Sequence, residues 1–388
     1  NFSSQKNGFF STTGDMKKIC LAFLVLLPLI CFASSARSTL YHYQPPEAPS
    51  SPPLPLVKSC GYQVTTDLEF LYWFANVSNL DYALKRNVLS SGVTVVVTPV
   101  KKMEFERSFD PGFRLGLGLK LPHDQWEVQA QWVYYYTSKE AAGRGSDNVL
   151  TGGAVAFSSP WIYNPSYDRF STVKAKTALF FNQIDLTLKK SFSLSSHLTQ
   201  QFGWGIRGYW SRLFLGTQLF RPFFPEGVFP QRQDLMDVYA RHTQKAWGVG
   251  LLGQGKTTWW LSSQWGLFGE GGMALTYGRG FLKNFNSQFQ INSGFPLVGD
   301  VEVNLRYTTY ENTYRLQSFL DIGTGVCYQK MFGDCIRLNC ELLWEFHFLY
   351  DFNQLQRGAS QRQVTADLIS SNGSLTLSGL VFRGGIDF

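Results

Sequence analysis

The sequence predicts an all-β fold, an antiparallel transmembrane β-barrel with short periplasmic turns and long extracellular loops. A hairpin within residues 113–136 is the main observation behind this prediction. Residues 113–121 read FRLGLGLKL and residues 126–136 read WEVQAQWVYYY, with the tight link PHDQ between them. Apolar and polar side chains alternate with a period of two in both arms, so each arm is a strand with one apolar and one polar face. Roughly ten such residues are what a tilted strand needs to cross a bilayer.

Composition agrees with a barrel. Aromatic residues make up 16% of the 388 residues, charged residues only 16%, and the mean hydropathy is −0.12. An average soluble domain carries about 25% charged residues. Outside the N-terminus no apolar run approaches the roughly 18 residues of a membrane helix. A barrel combines these features because half of each strand faces a polar interior. A large secreted β-sandwich or β-helix is the alternative that composition leaves open.

The N-terminal part predicts export. Residues 1–36 are interpreted as upstream residues followed by a signal peptide, with Met16 as the initiator. Two lysines precede an apolar core over residues 19–32, and small residues then allow cleavage after Ala36. The predicted location is therefore the outer membrane of a Gram-negative bacterium.

The rest of the chain divides into a linker and a barrel. Residues 37–59 are rich in proline, which cannot pair in a central strand, and form a periplasmic linker. Residues 60–388 form the barrel, in which short and long links alternate. This alternation gives about ten strands with the N-terminus in the periplasm, or twelve or more if weak strands lie within the loops. Short links are predicted near residues 122–125, 193–196, 255–258 and 330–334, and long loops at 77–109, 138–176, 213–243 and 280–312, with one more before the last strand.

The last nine residues read LVFRGGIDF and predict a final amphipathic strand. Leu380 and the apolar residues in phase with it share one face, while Arg383 and Asp387 share the other. The strand resembles the C-terminal strand of bacterial outer-membrane proteins, whose terminal Phe is read by the barrel-assembly machinery. We expect it to pair with the first strand, because unpaired backbone is not tolerated in lipid. The predicted assembly signal comprises Phe382, Ile386 and Phe388.

Two segments in the first third of the chain resemble a known family. Residues 68–84 read LEFLYWFANVSNLDYAL and residues 110–132 read DPGFRLGLGLKLPHDQWEVQAQW. They are similar to the Legionella-type major outer-membrane protein family, also present as porin-like major outer-membrane proteins in environmental chlamydiae. The resemblance extends over residues 60–388 and implies an outer-membrane barrel with porin and surface-adhesin roles. The proline-rich linker departs from the family pattern. The matching features are Tyr72-Trp73, Leu80 to Ala83, Pro111 to Arg114, Gly116 and the turn before Trp126.

One motif suggests a nucleotide site and is weighed against a plainer interpretation. Residues 250–257 read GLLGQGKT, which fits the phosphate-binding pattern GxxxxGK[ST]. That loop works where it joins a buried strand to a helix whose N-terminus holds the phosphate. The sequence from Thr257 onward, TTWWLSSQWGLFGEGG, shows no helical period. An exported protein also meets no nucleotide pool. A glycine-rich periplasmic turn is therefore the preferred interpretation.

Four cysteines follow the predicted signal peptide, and their spacing fits no zinc or haem pattern. Cys327 and Cys335 lie symmetrically about a turn centred on Met331, so the geometry allows a cross-strand disulfide. The oxidising periplasm would favour it. Cys60 could pair with Cys340 or with a second molecule, and free buried thiols are the alternative.

His347 lies on a polar strand face near Glu341 and Glu345, which raises the question of a protease or lipase site. No Ser or Asp pair partners it in the sequence, so a hydrogen-bond network in the lumen is the preferred interpretation. We therefore expect no enzyme activity, no catalytic residues, no cofactor and no metal.

Charged residues on the polar strand faces are predicted to line the lumen. Mixed signs at close range could set ion selectivity, or could neutralise one another and hold a narrow barrel shut. The expected function is a porin-like channel that passes small hydrophilic solutes by diffusion. The alternative is a surface adhesin or structural barrel with a plugged lumen, because ten strands enclose an interior that side chains nearly fill. The predicted lumen-facing charges are Asp67, Glu69, Arg114, Lys120, Glu127, Asp185, Arg207, Arg315, Asp321, Arg337 and Glu341.

The expected partners follow from this location. They are outer-membrane lipid, the barrel-assembly machinery, small hydrophilic solutes, host surface ligands in the adhesin case and further copies of the chain in a homo-oligomer. Nucleic acid is not expected.

Overall fold

The structure of the protein is a computed structural model. It describes residues 63–91, 94–97, 101–121, 126–145, 154–161, 170–221, 235–292, 301–332, 336–358 and 368–388. The predicted signal peptide and linker, Cys60, Cys335 and the predicted link at residues 122–125 lie outside these residues. None of the described residues belongs to a helix that is long and apolar enough to span a membrane.

Ten strands close into an antiparallel barrel, which confirms the predicted fold class. The strands of the described residues, in chain order, are β1 (Gln63–Val77), β2 (Ala83–Ser91), β3 (Thr94–Val97), β4 (Lys101–Met103), β5 (Phe109–Lys120), β6 (Trp126–Arg144), β7 (Ala154–Ser158), β8 (Thr172–Ser193), β9 (Leu198–Arg221), β10 (Leu235–Trp260), β11 (Trp265–Asn292), β12 (Val301–Phe332), β13 (Ile336–Asn353), β14 (Gln356–Gly358), β15 (Leu368–Ser370) and β16 (Gly373–Asp387). Around the barrel the order is β1, β16, β13, β12, β11, β10, β9, β8, β6 and β5.

The first and last strands close the barrel, as expected from the amphipathic final strand. Their register pairs Thr65 with Asp387 at one end. The backbone of Val64 exchanges two hydrogen bonds with that of Phe388, with N···O distances of 2.9 and 3.0 Å. Because β1 also pairs with β5, every barrel strand has two neighbours and no barrel edge is left open to lipid.

A band of exposed apolar side chains, here called the apolar belt, surrounds the barrel on its outward face. Leu117 and Leu186 are 63% and 51% exposed, and Leu251 is 75% exposed. Gly118 faces inward instead, where an added Cβ atom would collide with Thr65. Towards the long-loop end the belt ends at a row of outward aromatic residues, Trp210, Trp247, Tyr277 and Tyr314.

The strands extend beyond the belt, and several predicted boundaries are wrong for this reason. β10 and β11 contain 26 and 28 residues and are joined by residues 261–264, not by 255–258. β12 contains 32 residues and, with β11, occupies most of the loop predicted at 280–312. Beyond the belt the outward residues become basic and aromatic. The apolar alternation therefore stops while backbone pairing continues.

Two small sheets occupy regions that were predicted as long loops. β2 pairs with β3, β4 and β7, and β14 pairs with β15. Residues 94–97, which read TVVV, form β3. The first sheet packs on the outer part of the barrel through a buried cluster of Tyr82, Ala83, Phe157, Phe170, Val173, Ala175, Leu219 and Val238.

Candidate functional site in the barrel interior

The structure places all eleven predicted lumen charges on the inward side of the barrel. Nine of them line one polar cavity of about 230 Å³, to which all ten barrel strands contribute. A liquid water molecule occupies about 30 Å³, so the cavity has the volume of roughly eight water molecules. The other two are Glu69, which lies between two buried arginines, and Arg315, which lies nearer the long-loop end.

Arg383 on β16 joins carboxylates from three other strands. Its guanidinium donates hydrogen bonds to Glu69 at 2.8 Å, to Glu341 at 2.6 Å and to Glu270 at 3.2 Å. The Glu69 side chain is fully buried. Lys256 on β10 extends the cluster through an ion pair with Glu341 at 2.6 Å. Buried charges are tolerated when they are paired and hydrogen-bonded, so this cluster links five strands through two cations, Arg383 and Lys256.

Arg114 on β5 forms a second buried cation site next to the first. Its guanidinium lies 2.5 Å from Glu69 and donates hydrogen bonds of 2.9 and 3.0 Å to the two carboxylate oxygens of Glu345. Glu69 is thus shared with Arg383. β5 and β13 are not neighbours in the sheet, so the two-pronged pair of Arg114 and Glu345 crosses the interior.

His347 on β13 connects this site to a third cation. Its Nε2 lies 3.0 Å from Glu345 and its Nδ1 lies 2.7 Å from Asp321. Arg207 on β9 then pairs with Asp321 at 2.6 Å and with Asp185 on β8 at 2.8 Å. The result is one continuous set of ion pairs and hydrogen bonds, here called the charge chain. Its members are Lys256, Glu341, Glu270, Arg383, Glu69, Arg114, Glu345, His347, Asp321, Arg207 and Asp185.

Buried apolar side chains cover the charge chain towards the long-loop end. The Trp73 ring lies 4.8 Å from the His347 ring, and Arg207 lies 5.4 Å from the centre of the Phe319 ring. The Tyr135 hydroxyl donates a hydrogen bond of 2.9 Å to the Trp73 carbonyl. We call this set the apolar layer. It comprises Leu71, Trp73, Tyr135, Phe181, Tyr209, Leu213, Phe319 and Leu349, all of them buried.

The last residues of β13 and the two that follow it add a further closure. Asp351 has a φ of 55°, in the left-handed region, and the chain turns inward there. Arg315 donates to the carbonyl of Asp351 at 2.8 Å, and Gln244 donates to the carbonyl of Phe352 at 2.6 Å. Phe352 and Leu355 are fully buried in the same apolar cluster. The described interior is therefore filled at three levels: charge chain, apolar layer and inward segment 351–355.

Comparison with known families decides the assignment. The family model described as Legionella pneumophila major outer membrane protein precursor matches residues 60–388. The chain belongs to this family. The resemblance found in the first third of the sequence is thereby confirmed over the whole barrel region. No curated protein is significantly similar to the chain.

Solved structures with a similar fold are outer-membrane barrels of low identity. The outer membrane protease OmpT from Escherichia coli is 13% identical with a TM-score of 0.32, covering 88% of this chain and 99% of that chain. A Pseudomonas aeruginosa FadL homologue is 9% identical with a TM-score of 0.24, covering 85% and 90%. The Pseudomonas putida toluene transporter TodX is 10% identical with a TM-score of 0.17, covering 84% and 89%. At these values the likeness says nothing about activity.

Four charged members of the charge chain, Lys256, Glu270, Arg383 and Glu345, are absent from the predicted set of lumen-facing charges. The predicted turn at 255–258 removes Lys256 from the barrel strands. Glu270 lies between that turn and the loop predicted at 280–312, and so within a predicted strand of this outer membrane protein. Residues 250–257 lie inside β10, which continues to Trp260. The phosphate-loop and the glycine-rich turn interpretations are therefore both wrong, because neither a helix nor a turn follows. The alternation of Gln254, Lys256 and Thr258 with outward residues is the signal that could have found the strand.

The His347 site has the composition of an acid–base centre but not the access. Both ring nitrogens are occupied by Asp321 and Glu345, and the side chain is 13% exposed beneath the apolar layer. Within the described ranges, no group of three or more His, Cys, Asp or Glu residues could hold a metal ion. His347 is a structural link in the charge chain, because it joins Asp321 to Glu345.

The two described cysteines, Cys327 buried and Cys340 partly exposed, form no disulfide within the part of the chain that the structure describes. The symmetry argument for a disulfide between Cys327 and Cys335 is wrong, because the register of β12 and β13 pairs Cys327 with Glu341. Cys335 lies outside the described residues, so the pairing itself stays a prediction.

Proposed function

We propose that this outer membrane protein acts as a sealed barrel whose working surface is its long-loop end, in a structural or adhesive role. The observation that carries the proposal is the charge chain beneath the apolar layer. A diffusion pore needs a continuous aqueous path lined by polar groups. Here a polar cavity of about 230 Å³ ends at buried aromatic rings.

The free energy of opening favours a permanently closed interior over one that opens when a single side chain moves. Opening the lumen would separate several pairs at once, since Arg383 and Arg114 each hold two or more carboxylates. It would also expose the buried rings of the apolar layer to water. Burial of one large apolar side chain contributes about 1.5–3 kcal/mol, so opening carries a cost of that order for each ring exposed.

The outer ends of the strands supply the surface that an adhesin needs. β12 is 32 residues long, and the small sheets built from β2, β3, β4 and β7 and from β14 and β15 lie in the segments between barrel strands. Host ligands would bind on this side. The chain would reach a Gram-negative outer membrane through the N-terminal signal peptide expected from the sequence.

A porin-like channel is the second candidate, and the polar cavity favours it. Its lining mixes both charge signs, as a selectivity region would. Conduction of small hydrophilic solutes or ions would require displacement of the inward segment 351–355 and the apolar layer.

Single-channel recording in a planar bilayer separates the two candidates. We expect the native barrel to give no stable current steps. A layer-opened variant that combines Trp73→Ala and Phe319→Ala with Phe352→Gly and Leu355→Gly should conduct, because it removes buried side chains from both the apolar layer and the inward segment. Trp210→Ala removes an outward aromatic ring and serves as the silent control. Reproducible steps from the native barrel, folded by heat-modifiable gel mobility, would overturn the sealed barrel in favour of the porin.

A further inference from the structure

Four basic side chains project outward just beyond the apolar belt on three adjacent strands. We call Arg212, Arg241, Lys245 and Arg279 the basic patch. Arg212 and Lys245 are register partners on β9 and β10. Arg279 is the partner on β11 of Trp247, one of the aromatic residues that border the belt. The patch therefore lies at the boundary between the hydrocarbon region and the long-loop end.

The patch surrounds a groove on the outer wall of the barrel. The groove has a volume of about 910 Å³ and contains all four basic side chains among its lining residues. Its remaining wall is mainly aromatic. The aromatic residues are Tyr136, Phe180, Trp210, Phe214, Trp247 and Phe281. Cationic groups thus adjoin an apolar wall that continues into the belt.

These cations lack the carboxylate partners that each lysine and arginine of the charge chain has. Arg241 lies over the Phe214 ring at 5.3 Å, and Arg279 donates a hydrogen bond of 2.8 Å to the Asn312 side chain. No described carboxylate forms an ion pair with any of the four. Two carboxylates on the same outward face have their own partners: Glu140 pairs with Lys176 at 2.7 Å, and Asp237 accepts from Gln218.

We propose that the basic patch binds the phosphate groups of a phosphorylated glycolipid in the outer leaflet. Arginine and lysine are the usual ligands of phosphate oxygens, and arginine binds them through a two-pronged geometry. The long-loop end of a bacterial barrel faces the cell exterior, so the patch meets outer-leaflet headgroups. The lipid's acyl chains would lie along the aromatic wall and the belt below it.

Charge and position both select this occupant. Exposed like charges at close range repel one another, and an anion held between them removes that repulsion. A free phosphate ion would satisfy the charges but leave the aromatic wall uncovered. A lipid with phosphate on its headgroup satisfies both, and the groove opens where such a headgroup would lie.

Native mass spectrometry of the folded barrel in neutral detergent tests the proposal, with bisphosphorylated lipid A as the probe. We expect one lipid bound to the native protein. Arg212→Gln with Lys245→Gln, and Arg241→Gln with Arg279→Gln, should each weaken binding at least about tenfold. The matched control is Lys190→Gln with Lys330→Gln. These lysines lie near the short-turn end over Trp126 and Phe332, at 5.1 and 5.2 Å.

Two further arms identify the source of the phosphate. Lipid A without phosphate should bind as weakly to the native barrel as phosphorylated lipid does to the patch variants. Inorganic phosphate at millimolar concentration should not displace the lipid. The proposal would be overturned if the native protein and the patch variants retained the lipid equally, or if lipid A without phosphate bound as well as phosphorylated lipid A. Displacement of the lipid by inorganic phosphate would also overturn it, as would a lipid-free dimer that depends on the four basic residues. Because all four side chains are outward, heat-modifiable mobility should be unchanged in every variant.

Discussion

Arg114 on β5 donates two hydrogen bonds to Glu345 on β13, although these strands are separated in the barrel by β1 and β16. The pair therefore braces the barrel across its interior. Its neighbours enclose it: Glu69 also binds Arg114, and His347 also binds Glu345. Interactions of this kind resist flattening of the barrel, which the hydrogen bonds between adjacent strands do not prevent by themselves.

Arg114→Gln should lower the free energy of unfolding by about 3–5 kcal/mol, because it leaves Glu69 and Glu345 buried with too little positive charge. Urea unfolding in detergent, followed by tryptophan fluorescence, would measure the loss. Lys176→Gln breaks the exposed pair with Glu140 and is the matched control, for which no measurable change is expected. Equal stability of Arg114→Gln and the native barrel would mean that the interior is wetter than described.

The outward orientation of alternate side chains in the apolar belt leads to a second prediction. Leu117→Arg and Leu251→Arg place a charge in the apolar belt and should each cost about 2–4 kcal/mol. Tyr310→Arg is the control, since Tyr310 is 62% exposed on β12 beyond the aromatic border. Folding into bilayers of defined thickness with urea titration gives the values. A similar cost at all three positions would contradict the position assigned to the belt.

The hairpin of β5 and β6 shows what the sequence could predict. Its register pairs Phe113 with Tyr134 and Gly116 with Gln131, within the alternating stretch that identified it. Lipid imposes this alternation, because each outward residue in the belt must be apolar. Beyond the belt both faces meet water or protein, and the pattern no longer marks the strand. The sequence pattern therefore predicts loops where the structure has the outer ends of β10, β11 and β12.

The charge chain shows what the sequence could not predict. Alternation shows that Arg114 and Glu69 face inward, and adjacent strands make their contact foreseeable. The pairing of Arg114 with Glu345, 231 residues away, depends on where the closed barrel places non-adjacent strands. Strand count, tilt and closure set that position, and no local pattern contains them. The sequence could thus identify most of the inward-facing charges, but neither their partners nor whether the lumen is open.

Topology can be tested with single cysteines at described, exposed positions. Arg144→Cys lies at the outer end of β6, and Ser195→Cys lies in the link between β8 and β9. A membrane-impermeant maleimide applied to intact cells should label position 144 and leave position 195 unlabelled until the outer membrane is broken. The native sequence provides the background control. Labelling at position 195 alone would show that the barrel has the opposite orientation, and would place the basic patch in the other leaflet.

His242 gives a prediction on pH. It lies on the inward face of β10, five residues beyond Trp247 and therefore outside the belt. Its Nδ1 lies 2.9 Å from the Asn284 side chain, its Nε2 has no partner among the residues that the structure describes, and the Trp161 ring lies 5.3 Å away. Burial lowers the pKa of His242 from 6.5 to about 4, so the fold holds the ring neutral.

The direction of the pH effect on stability follows from proton uptake on unfolding. Between pH 6.5 and pH 4 the unfolded chain binds a proton at His242 that the folded barrel does not, so acidification favours unfolding. From pH 7.5 to pH 5.0 this residue should lower the free energy of unfolding by about 2 kcal/mol. His242→Gln keeps a polar partner for Asn284 but cannot titrate, so its loss over the same interval should be smaller by that amount. Urea titrations of both proteins at the two pH values measure the difference. The interval ends at pH 5.0 because the carboxylates of the charge chain contribute below it. Parallel pH dependence in the two proteins would show that His242 is already solvated in the folded barrel.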